Sequence, residues 1–385
     1  MSAQYITLQH ILQRWHTASP HPHVHRVLAQ LKTCRTVKQG YHIYHCANED
    51  CGKYHYRYHS CRNRHCPQCG SFQKQQWIED RTNDVLPTHY FHVVFTLPHE
   101  LNALILGNRK PLLNLLFEAS AQTLLAFSKD QKYLGAVPGI LSVLHTWGQQ
   151  LSFHPHVHCI VSSGGLNSAD INPQWKQSTR NSRHFIFPVK ALAKVFRTKY
   201  LEGIKTLVRQ NELPFRDEGA LDTMTNMLYA KEWVVYAKKP FGGPQQVIQY
   251  LGRYTHKTAI SNNRILSTDE QNQTVSFSYK DYADNNRQKI MVLPAKEFIR
   301  RFEQHILPKG FTRIRSCGYL ANRGRTQRLK LITSLMKLPN HPTKTKTPWQ
   351  VRLLLQYGVQ YLQCPYCNKN TLVQTGCVFK RVDDS

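Results

Sequence analysis

The nine residues from Phe153 to Val161, with the sequence FHPHVHCIV, constrain the fold more than any other part of the chain. Successive side chains of a β-strand point to opposite sides, so residues at every second position share one face. A strand over this segment therefore presents three histidines on one side and apolar residues on the other. Such a strand fits a sheet with one face in an apolar core and the other lining a polar surface.

These histidines are candidate metal ligands, because imidazole is the most common side-chain ligand and a strand holds it in a fixed direction. Two imidazoles leave coordination positions open for substrate oxygens, which a catalytic metal site requires. The alternative is that His154, His156 and His158 are ordinary strand residues with hydrogen-bonded rings. Their spacing of two residues in an otherwise apolar strand favours the metal site.

A second strand is predicted from Ile140 to Trp147, directly before the histidine strand, with a short Gly-Gln-Gln turn between them. In such a hairpin His145 lies roughly opposite His156. His145 is then a candidate third ligand, and His92, on an earlier predicted strand, is a rival, as is His154. For each of them an ordinary polar strand residue is the alternative interpretation.

The rest of the chain alternates irregularly between predicted helices and strands. Residues 5–33 have apolar positions at helical spacing, and two prolines divide them into two short helices. A long amphipathic helix is predicted over residues 100–130, with a candidate break near Pro111, and a closing hairpin over residues 275–293. Irregular alternation with hairpins fits an antiparallel sheet flanked by helices better than a doubly wound parallel sheet. The predicted fold class is therefore α+β.

Five of the eleven cysteines fall between Cys46 and Cys69, which indicates metal ligands rather than disulfides. Cys46 with Cys51 and Cys66 with Cys69 form two pairs about fifteen residues apart, a spacing typical of a tetrahedral structural zinc site. Bound zinc would supply folding energy to a segment with few apolar residues. Buried free thiols are the alternative. The neighbours that could replace a ligand are Cys61, His59 and His65.

The C-terminal region contains one more cysteine pair, Cys364 and Cys367, with the spacing of a zinc knuckle. It supplies half of a second zinc site, and the sequence offers no clear second pair to complete it. Zinc binding here and unpaired free thiols both stay open as interpretations.

The charge balance predicts a polyanionic partner. Lys and Arg number 51 against 23 Asp and Glu, a net charge of +28, and nucleic acid is the usual partner of such a chain. Residues 311–346 contain nine Lys or Arg and no acid, which favours contact with a phosphate backbone over a merely solvated face. Tyr54, Tyr56 and Tyr58 alternate with cations, as in proteins that bind single strands. No apolar run approaches 18 residues and no signal peptide is evident, so we expect a cytoplasmic protein without membrane contact.

These patterns divide the chain into four predicted segments. Residues 1–33 form an N-terminal helical segment and residues 34–86 a zinc-binding module. Residues 87–310 form the domain with the histidine strand, and residues 311–385 form a basic C-terminal DNA-binding region with a candidate second zinc knuckle.

Two tyrosines four residues apart, Tyr250 and Tyr254, would share one face of a helix. A phenol is a poor nucleophile at neutral pH, but it reacts when a cation polarises the phosphate and nearby positive charge favours phenolate. Arg253 and Lys257 supply such charge beside the pair. Core packing is the alternative for a tyrosine pair in a chain that has 19 tyrosines.

The chain closely resembles the two-tyrosine HUH transposases of bacterial insertion sequences that move by a rolling-circle route, the family of insertion sequence ninety-one. The wide spacing of Cys46 and Cys51 departs from what the family leads us to expect. The resemblance covers nearly the whole chain and includes the histidine strand and the segments 59–69, 91–98, 145–149, 250–261 and 311–315.

The resemblance implies an HUH/Rep-type nuclease fold and a specific chemistry. The histidine, apolar residue, histidine motif maps onto His156 and His158, which would hold Mg²⁺ or Mn²⁺ with a third group, while zinc is structural. Tyr250 and Tyr254 would be the nucleophiles. One of them would attack a phosphodiester of single-stranded DNA at an element end or target site, leaving a 5'-phosphotyrosine and a free 3'-hydroxyl.

The resemblance also implies a bacterial protein associated with the nucleoid, with a homodimer as a candidate assembly. The residues expected to contact DNA are basic, and they lie beside the tyrosines or in the C-terminal region. They are Arg253, Lys257, Arg313, Arg315, Arg323 and Arg325.

Two other functions stay open. A rolling-circle replication initiator would use the same chemistry with the same order of histidines and tyrosines. A non-catalytic, zinc-dependent DNA-binding protein would explain the charge and the cysteines but not the placed histidines and tyrosines. Conjugative relaxases usually place tyrosines before the histidine motif, and transposases with a carboxylate triad need acids that are scarce here.

Overall fold

The computed structural model describes residues 6–82, 84–167, 172–178, 187–238, 246–247, 250, 252, 257–339 and 348–380, without the side chains of 70–73, 75, 76 and 356. The helices are α1 (Leu8–Trp15), α2 (Pro22–Lys32), α3 (Gly70–Thr82), α4 (Asn102–Gly107), α5 (Arg109–Lys129), α6 (Val189–Arg209), α7 (Glu218–Ala230), α8 (Ala295–Glu303), α9 (Arg325–Leu335) and α10 (Trp349–Tyr357). The strands are β1 (Gly40–Cys46), β2 (Tyr54–Tyr58), β3 (Tyr90–Thr96), β4 (Val137–Trp147), β5 (Phe153–Asn167), β6 (Gln174–Gln177), β7 (Val235–Lys238), β8 (Ile265–Asp269), β9 (Thr274–Asp281), β10 (Arg287–Pro294), β11 (Ile314–Gly318) and β12 (Leu372–Phe379).

The largest sheet has the strand order β11-β4-β5-β3-β7, with β6 paired to the far end of β5. Every strand pair in it is antiparallel. The α+β class with an antiparallel sheet and flanking helices is thereby confirmed. The histidine strand is β5, at the centre of this sheet, where its neighbours β3 and β4 fix the direction of its side chains.

The two faces of β5 differ as the alternation predicts. Val157, Cys159 and Val161 are buried in the main core, where α5 and α6 cover the sheet. Burying apolar side chains on this face is the main favourable term that holds the strand in register. The opposite face carries the histidines, and a smaller cluster around Ile160 and Val247 packs further along it.

The predicted hairpin between β4 and β5 is confirmed, and His145 is the direct partner of His156. The long helix predicted over residues 100–130 is divided into α4 and α5 at Asn108 rather than near Pro111. Pro111 lies in the first turn of α5, where a missing backbone N–H costs no helical hydrogen bond.

A second, three-stranded sheet with the order β10-β9-β8 packs on the N-terminal helices. Phe277 of this sheet and Phe298 of α8 are both buried, with ring centroids 5.7 Å apart. Leu12 and Leu28, from α1 and α2, complete the same core. The closing hairpin predicted over residues 275–293 and the two N-terminal helices are therefore present.

The third sheet joins the two ends of the chain. Its order is β12-β1-β2, so the C-terminal strand pairs directly with the first strand of the cysteine-rich segment. This pairing places Cys46 opposite Leu372. Among the described residues, no helix is long and apolar enough to cross a lipid bilayer.

Candidate active site and zinc clusters

Three histidines of the β4–β5 hairpin converge on one point. His145, His156 and His158 each offer a ring nitrogen, and these atoms lie within 4.8 Å of one another. The cross-strand pairing and the period-two spacing produce this arrangement, because paired residues and alternate residues share a face. His154 lies on the same face but is exposed and outside the group.

His92 forms a second layer behind these histidines and is almost fully buried. Its Nε2 lies 2.8 Å from Nδ1 of His158, and its Nδ1 lies 2.9 Å from the hydroxyl of Tyr250. The adjacent antiparallel strand β3 places it there. His92 therefore connects the tyrosine to the histidine cluster, which makes it a bridging residue rather than a member of the ligand group.

Burial sets the protonation of the cluster. It lowers the pKa of His156 to about 4 and the pKa of His158 well below its usual range. Neighbouring histidines and Lys257 contribute smaller shifts in the same direction. Because both pKa values move down, the rings are neutral at pH 7, which is the form that binds a metal ion. The Nδ1–H of His156 donates to the carbonyl of His154 at 2.7 Å and leaves Nε2 available.

The cluster opens into a cavity of about 550 Å³. Basic side chains of Lys257, Arg264 and Lys280 line it together with the histidines. Its acidic residue Asp281 is neutralised by the ammonium of Lys289, 2.9 Å away. A concave, positively charged cavity beside neutral imidazoles suits a phosphate-containing ligand.

The tyrosine pair is only partly described. Tyr250 is half-buried, and its ring packs against the histidine-bearing face near Ile160 and Val247. Tyr254 and Arg253 lie outside the described residues. Lys257, the other basic residue predicted beside the pair, lines the cavity.

The cysteines form two separate tetrads. The first contains Cys34, Cys61, Cys66 and Cys69, with sulfur–sulfur distances of 3.6 to 3.7 Å between hydrogen-bonded pairs. The second contains Cys46, Cys51, Cys364 and Cys367, with distances of 3.7 and 3.9 Å. Four sulfurs around a tetrahedral zinc at ~2.3 Å lie about 3.8 Å apart, so both tetrads fit zinc.

The prediction that Cys46, Cys51, Cys66 and Cys69 form one site is therefore corrected. Strands β1 and β2 are antiparallel, so the turn that carries Cys46 and Cys51 lies at one end of the hairpin. The segment after β2, with Cys66 and Cys69, lies at the other end. Linear spacing alone does not show this separation.

Each of the two predicted cysteine pairs is completed by other cysteines, and three of these were already candidate zinc ligands in the sequence. Cys61 joins the first tetrad, and Cys364 and Cys367 are the second half of the other. The neighbouring histidines are not in either tetrad: His65 is buried and its Nε2 accepts from the Leu307 amide at 3.4 Å. Cys34 was missed, because it precedes β1 and lies in no short cysteine motif.

The basic residues of the C-terminal region do not share one face. Arg313 is buried, and its guanidinium donates to the carbonyl of Lys257 at 3.3 Å. Arg315 donates to Asn114 at 2.5 Å and stacks on Phe117, on the side of the sheet covered by α5. The burial of Arg313 argues against direct DNA contact by that side chain, whereas Arg315 is partly exposed and its assignment to DNA contact stays a prediction.

The remaining two arginines of that group differ from each other in exposure. Arg325 is partly buried and lies 3.7 Å from the carboxylate of Asp84. Arg323 is exposed, so its side chain is the one of the four that solvent, or a phosphate, reaches freely.

Replacement by alanine should affect stability at Arg313 and DNA binding at Arg323. Arg313→Ala is expected to lower the free energy of unfolding by about 2–4 kcal/mol, because a buried hydrogen-bonded side chain is lost. Arg323→Ala should change the free energy of unfolding by less than about 0.5 kcal/mol. It should reduce the magnitude of the negative slope of log affinity for DNA against log salt by about 0.7–0.9. Chemical denaturation and salt-dependent binding measure the two effects. A normal salt slope in Arg323→Ala would contradict the assignment of that residue.

Two family models of transposases match separate parts of the chain. A family model described as "Transposase zinc-binding domain" matches residues 6–97, and one described as "Putative transposase" matches residues 139–328. The match to the zinc-binding model contains all four cysteines of the first tetrad and two of the second. This match and the geometry of the tetrads both support structural zinc. No solved structure matches the chain.

Two curated relatives cover most of the sequence. The "Putative transposase y4qJ" of Sinorhizobium fredii is 41% identical over 359 residues, which are 90% of this chain and 88% of the relative. The transposase for insertion sequence element IS801 of Pseudomonas savastanoi is 30% identical over 318 residues, or 81% of this chain and 73% of the relative. The resemblance inferred from the motifs is thereby confirmed, and the chain belongs to the IS91 family of insertion-sequence transposases, whose partner is DNA.

Proposed function

We propose that this transposase nicks and rejoins single-stranded DNA at the ends of its element through a 5'-phosphotyrosine intermediate. The observation that supports this most is the chain of contacts from the Tyr250 hydroxyl through His92 to His158. It connects a phenol to a cluster of neutral imidazoles beside a basic cavity. Tyr254, the second proposed nucleophile, lies outside the described residues.

The residues that would hold the catalytic Mg²⁺ or Mn²⁺ are His145, His156 and His158. The convergence of the three residues and the lowered pKa values of His156 and His158 fit a divalent ion. When bound, the ion would polarise the scissile phosphate and offset the charge that develops on it. The three histidines line the cavity, so phosphate oxygens would have room beside an ion bound to them.

The bridging histidine has a specific role in this proposal. Nδ1 of His158 contacts His92, so His158 would bind a metal ion through its other ring nitrogen, Nε2. A His158 that bound a metal ion in this way would carry its proton on Nδ1 and would donate a hydrogen bond to Nε2 of His92. His92 in turn carries its proton on Nδ1 and donates a hydrogen bond to the Tyr250 oxygen. This orientation stabilises the phenolate, the form of tyrosine that attacks phosphorus.

The reaction itself exchanges one phosphodiester for another. The tyrosine oxygen forms a bond to phosphorus, and the bond from phosphorus to the 3'-oxygen of the preceding nucleotide breaks. The phenol's proton goes to solvent, and the 3'-oxygen takes up a proton from solvent and leaves as a free 3'-hydroxyl, while the 5'-phosphate stays on the enzyme. Because the bond energy is retained, attack by a 3'-hydroxyl reverses the step and joins strands without ATP.

The zinc-binding region supports single-stranded DNA as the substrate. Tyr54, Tyr56 and Tyr58 of β2 are 55%, 48% and 44% exposed, and alternate positions place them on one face. Exposed aromatic rings beside basic residues stack on unpaired bases of any sequence, whereas paired bases are inaccessible to them. We therefore propose that this face binds the strand that the active site cuts.

The decisive experiment incubates the purified protein with labelled element ends and Mn²⁺, followed by a denaturing gel. We expect a covalent protein–DNA adduct on the single-stranded substrate, little on the duplex and none with a chelator. His156→Ala should remove the adduct because a metal ligand is lost. His154→Ala, on the same strand but outside the ligand group, should retain it.

The same assay separates the alternatives. A non-catalytic zinc-dependent DNA-binding protein would shift the DNA on a native gel but give no adduct with Mn²⁺. A replication initiator would give the adduct, with cleavage at an origin rather than at element ends. The homodimer, the cytoplasmic location and the association with the nucleoid stay predictions.

A further inference from the structure

A third cluster of metal-binding side chains lies on the sheet formed by β12, β1 and β2. It consists of His42, His59 and Cys377, whose candidate ligand atoms lie within 4.8 Å of one another. His42 and Cys377 are directly paired residues of β1 and β12, and His59 follows β2. The cluster shares no residue with the two tetrads or with the histidine site.

The distances within the cluster are close to those of a metal site. Nε2 of His59 lies 3.9 Å from the sulfur of Cys377, and the rings of His42 and His59 have centroids 4.6 Å apart. Nitrogen and sulfur ligands of one tetrahedral zinc lie about 3.6 Å apart. The His59–Cys377 pair is therefore within a few tenths of an ångström of this distance, and all the candidate ligand atoms lie within 4.8 Å of one another.

The surroundings of both histidines also fit ligation. Nδ1–H of His59 donates to the carbonyl of Gln39 at 3.2 Å, and the other ring nitrogen, Nε2, is directed at Cys377. Metal-bound histidines usually have this kind of support on their second nitrogen. Nδ1 of His42 is buried without a hydrogen-bond partner among the described residues, an uncommon state that an ion bound to this nitrogen would relieve.

We propose that His42, His59 and Cys377 bind a zinc ion, with the fourth coordination position open to water or an external ligand. Two imidazole nitrogens and one thiolate suit zinc rather than magnesium or calcium, which prefer oxygen ligands. All three residues are partly exposed, whereas five of the eight tetrad cysteines are buried, so the ion exchanges with solvent more readily than in the tetrads. Such an ion would connect the C-terminal strand β12 to β1 and to the residue that directly follows β2.

Thiol alkylation of the zinc-loaded, full-length protein tests the site without any substitution. Cys377 should react with iodoacetamide about tenfold or more slowly in the zinc-loaded protein than after mild chelation, because a metal-bound thiolate is blocked. Cys317, a partly buried thiol outside all clusters, should react equally in both. Mass spectrometry of the peptides measures each rate. Equal alkylation of Cys377 in both states, with Cys364 protected by zinc, would overturn the proposal.

A matched pair of variants on β1 provides the second test. His42→Asn should abolish the protection of Cys377 and lower the zinc content by one equivalent per chain, measured by elemental analysis. His45→Asn, on the same strand but outside the cluster, should do neither. Protection of Cys364 in both variants reports that the neighbouring tetrad is intact. Full zinc content and a protected Cys377 in His42→Asn, or equal losses in both variants, would refute the site.

Discussion

Replacing both Tyr250 and Tyr254 by phenylalanine should lower the yield of covalent protein–DNA adduct by about a thousandfold or more. The substitution removes only two hydroxyl groups, and the ring of Tyr250 keeps its packing against the sheet. The nucleophile is lost while the metal ligands and the basic cavity stay in place. Labelled single-stranded element ends with Mn²⁺, followed by a denaturing gel, measure the effect.

The single variant Tyr250→Phe distinguishes the roles of the two tyrosines. In the proposed mechanism His92 donates a hydrogen bond that stabilises the phenolate of Tyr250, so loss of this hydroxyl should remove the first cleavage. Any residual adduct should then map to Tyr254 by peptide mass spectrometry. DNA binding should stay within about twofold of the unsubstituted protein, because a phenol hydroxyl contributes little to phosphate contact.

Tyr229→Phe is the matched control for these variants. It also removes a tyrosine hydroxyl that makes a hydrogen bond, here to Glu202 at 3.3 Å, but far from the histidines in the helical layer. It should form adduct at the normal rate. A double variant Tyr250→Phe, Tyr254→Phe that still forms adduct would exclude these residues as nucleophiles and contradict the proposed mechanism.

The histidine site shows how much a local pattern determines. Alternation along β5 predicts which side chains face the core and which face the cavity, and the hairpin pairs His145 with His156 as expected. The position of His92 is different, because it depends on β3 pairing with the other edge of β5. Sequence spacing makes it only a rival ligand, whereas the sheet places it between Tyr250 and His158.

Long-range contacts explain what the sequence did not predict. Two of the three partners of Cys46 are on the C-terminal segment, which β12 brings beside β1 through backbone pairing that leaves no cysteine-spacing signal. Net charge also does not predict which basic side chains reach the surface. Arg313 and Arg323 belong to one basic run, but the first is buried and the second is exposed. Local periodicity fixes the face of a residue, and tertiary pairing decides its neighbours.

The division of the cysteines into two tetrads predicts which substitutions act together. Cys46→Ala and Cys364→Ala should each remove one zinc and lower the free energy of unfolding by about 3–5 kcal/mol, because a structural ion is lost. The double variant Cys46→Ala, Cys364→Ala should also lose one zinc and cost little more than either single variant. Two substitutions at one site are non-additive, since the first already releases the ion.

Cys46→Ala combined with Cys66→Ala should behave differently, because these residues belong to separate tetrads. We expect this pair to lose two zinc ions per chain and to add the two destabilisations. If Cys46, Cys51, Cys66 and Cys69 formed one site, the same pair would lose a single ion, and Cys364→Ala would lose none. Elemental analysis of the four variants therefore decides between the two arrangements. A zinc ion bound by Cys46 and Cys364 would add to the backbone pairing of β1 with β12 and to the packing of Tyr44 on Leu372, which also hold the C-terminal segment in place.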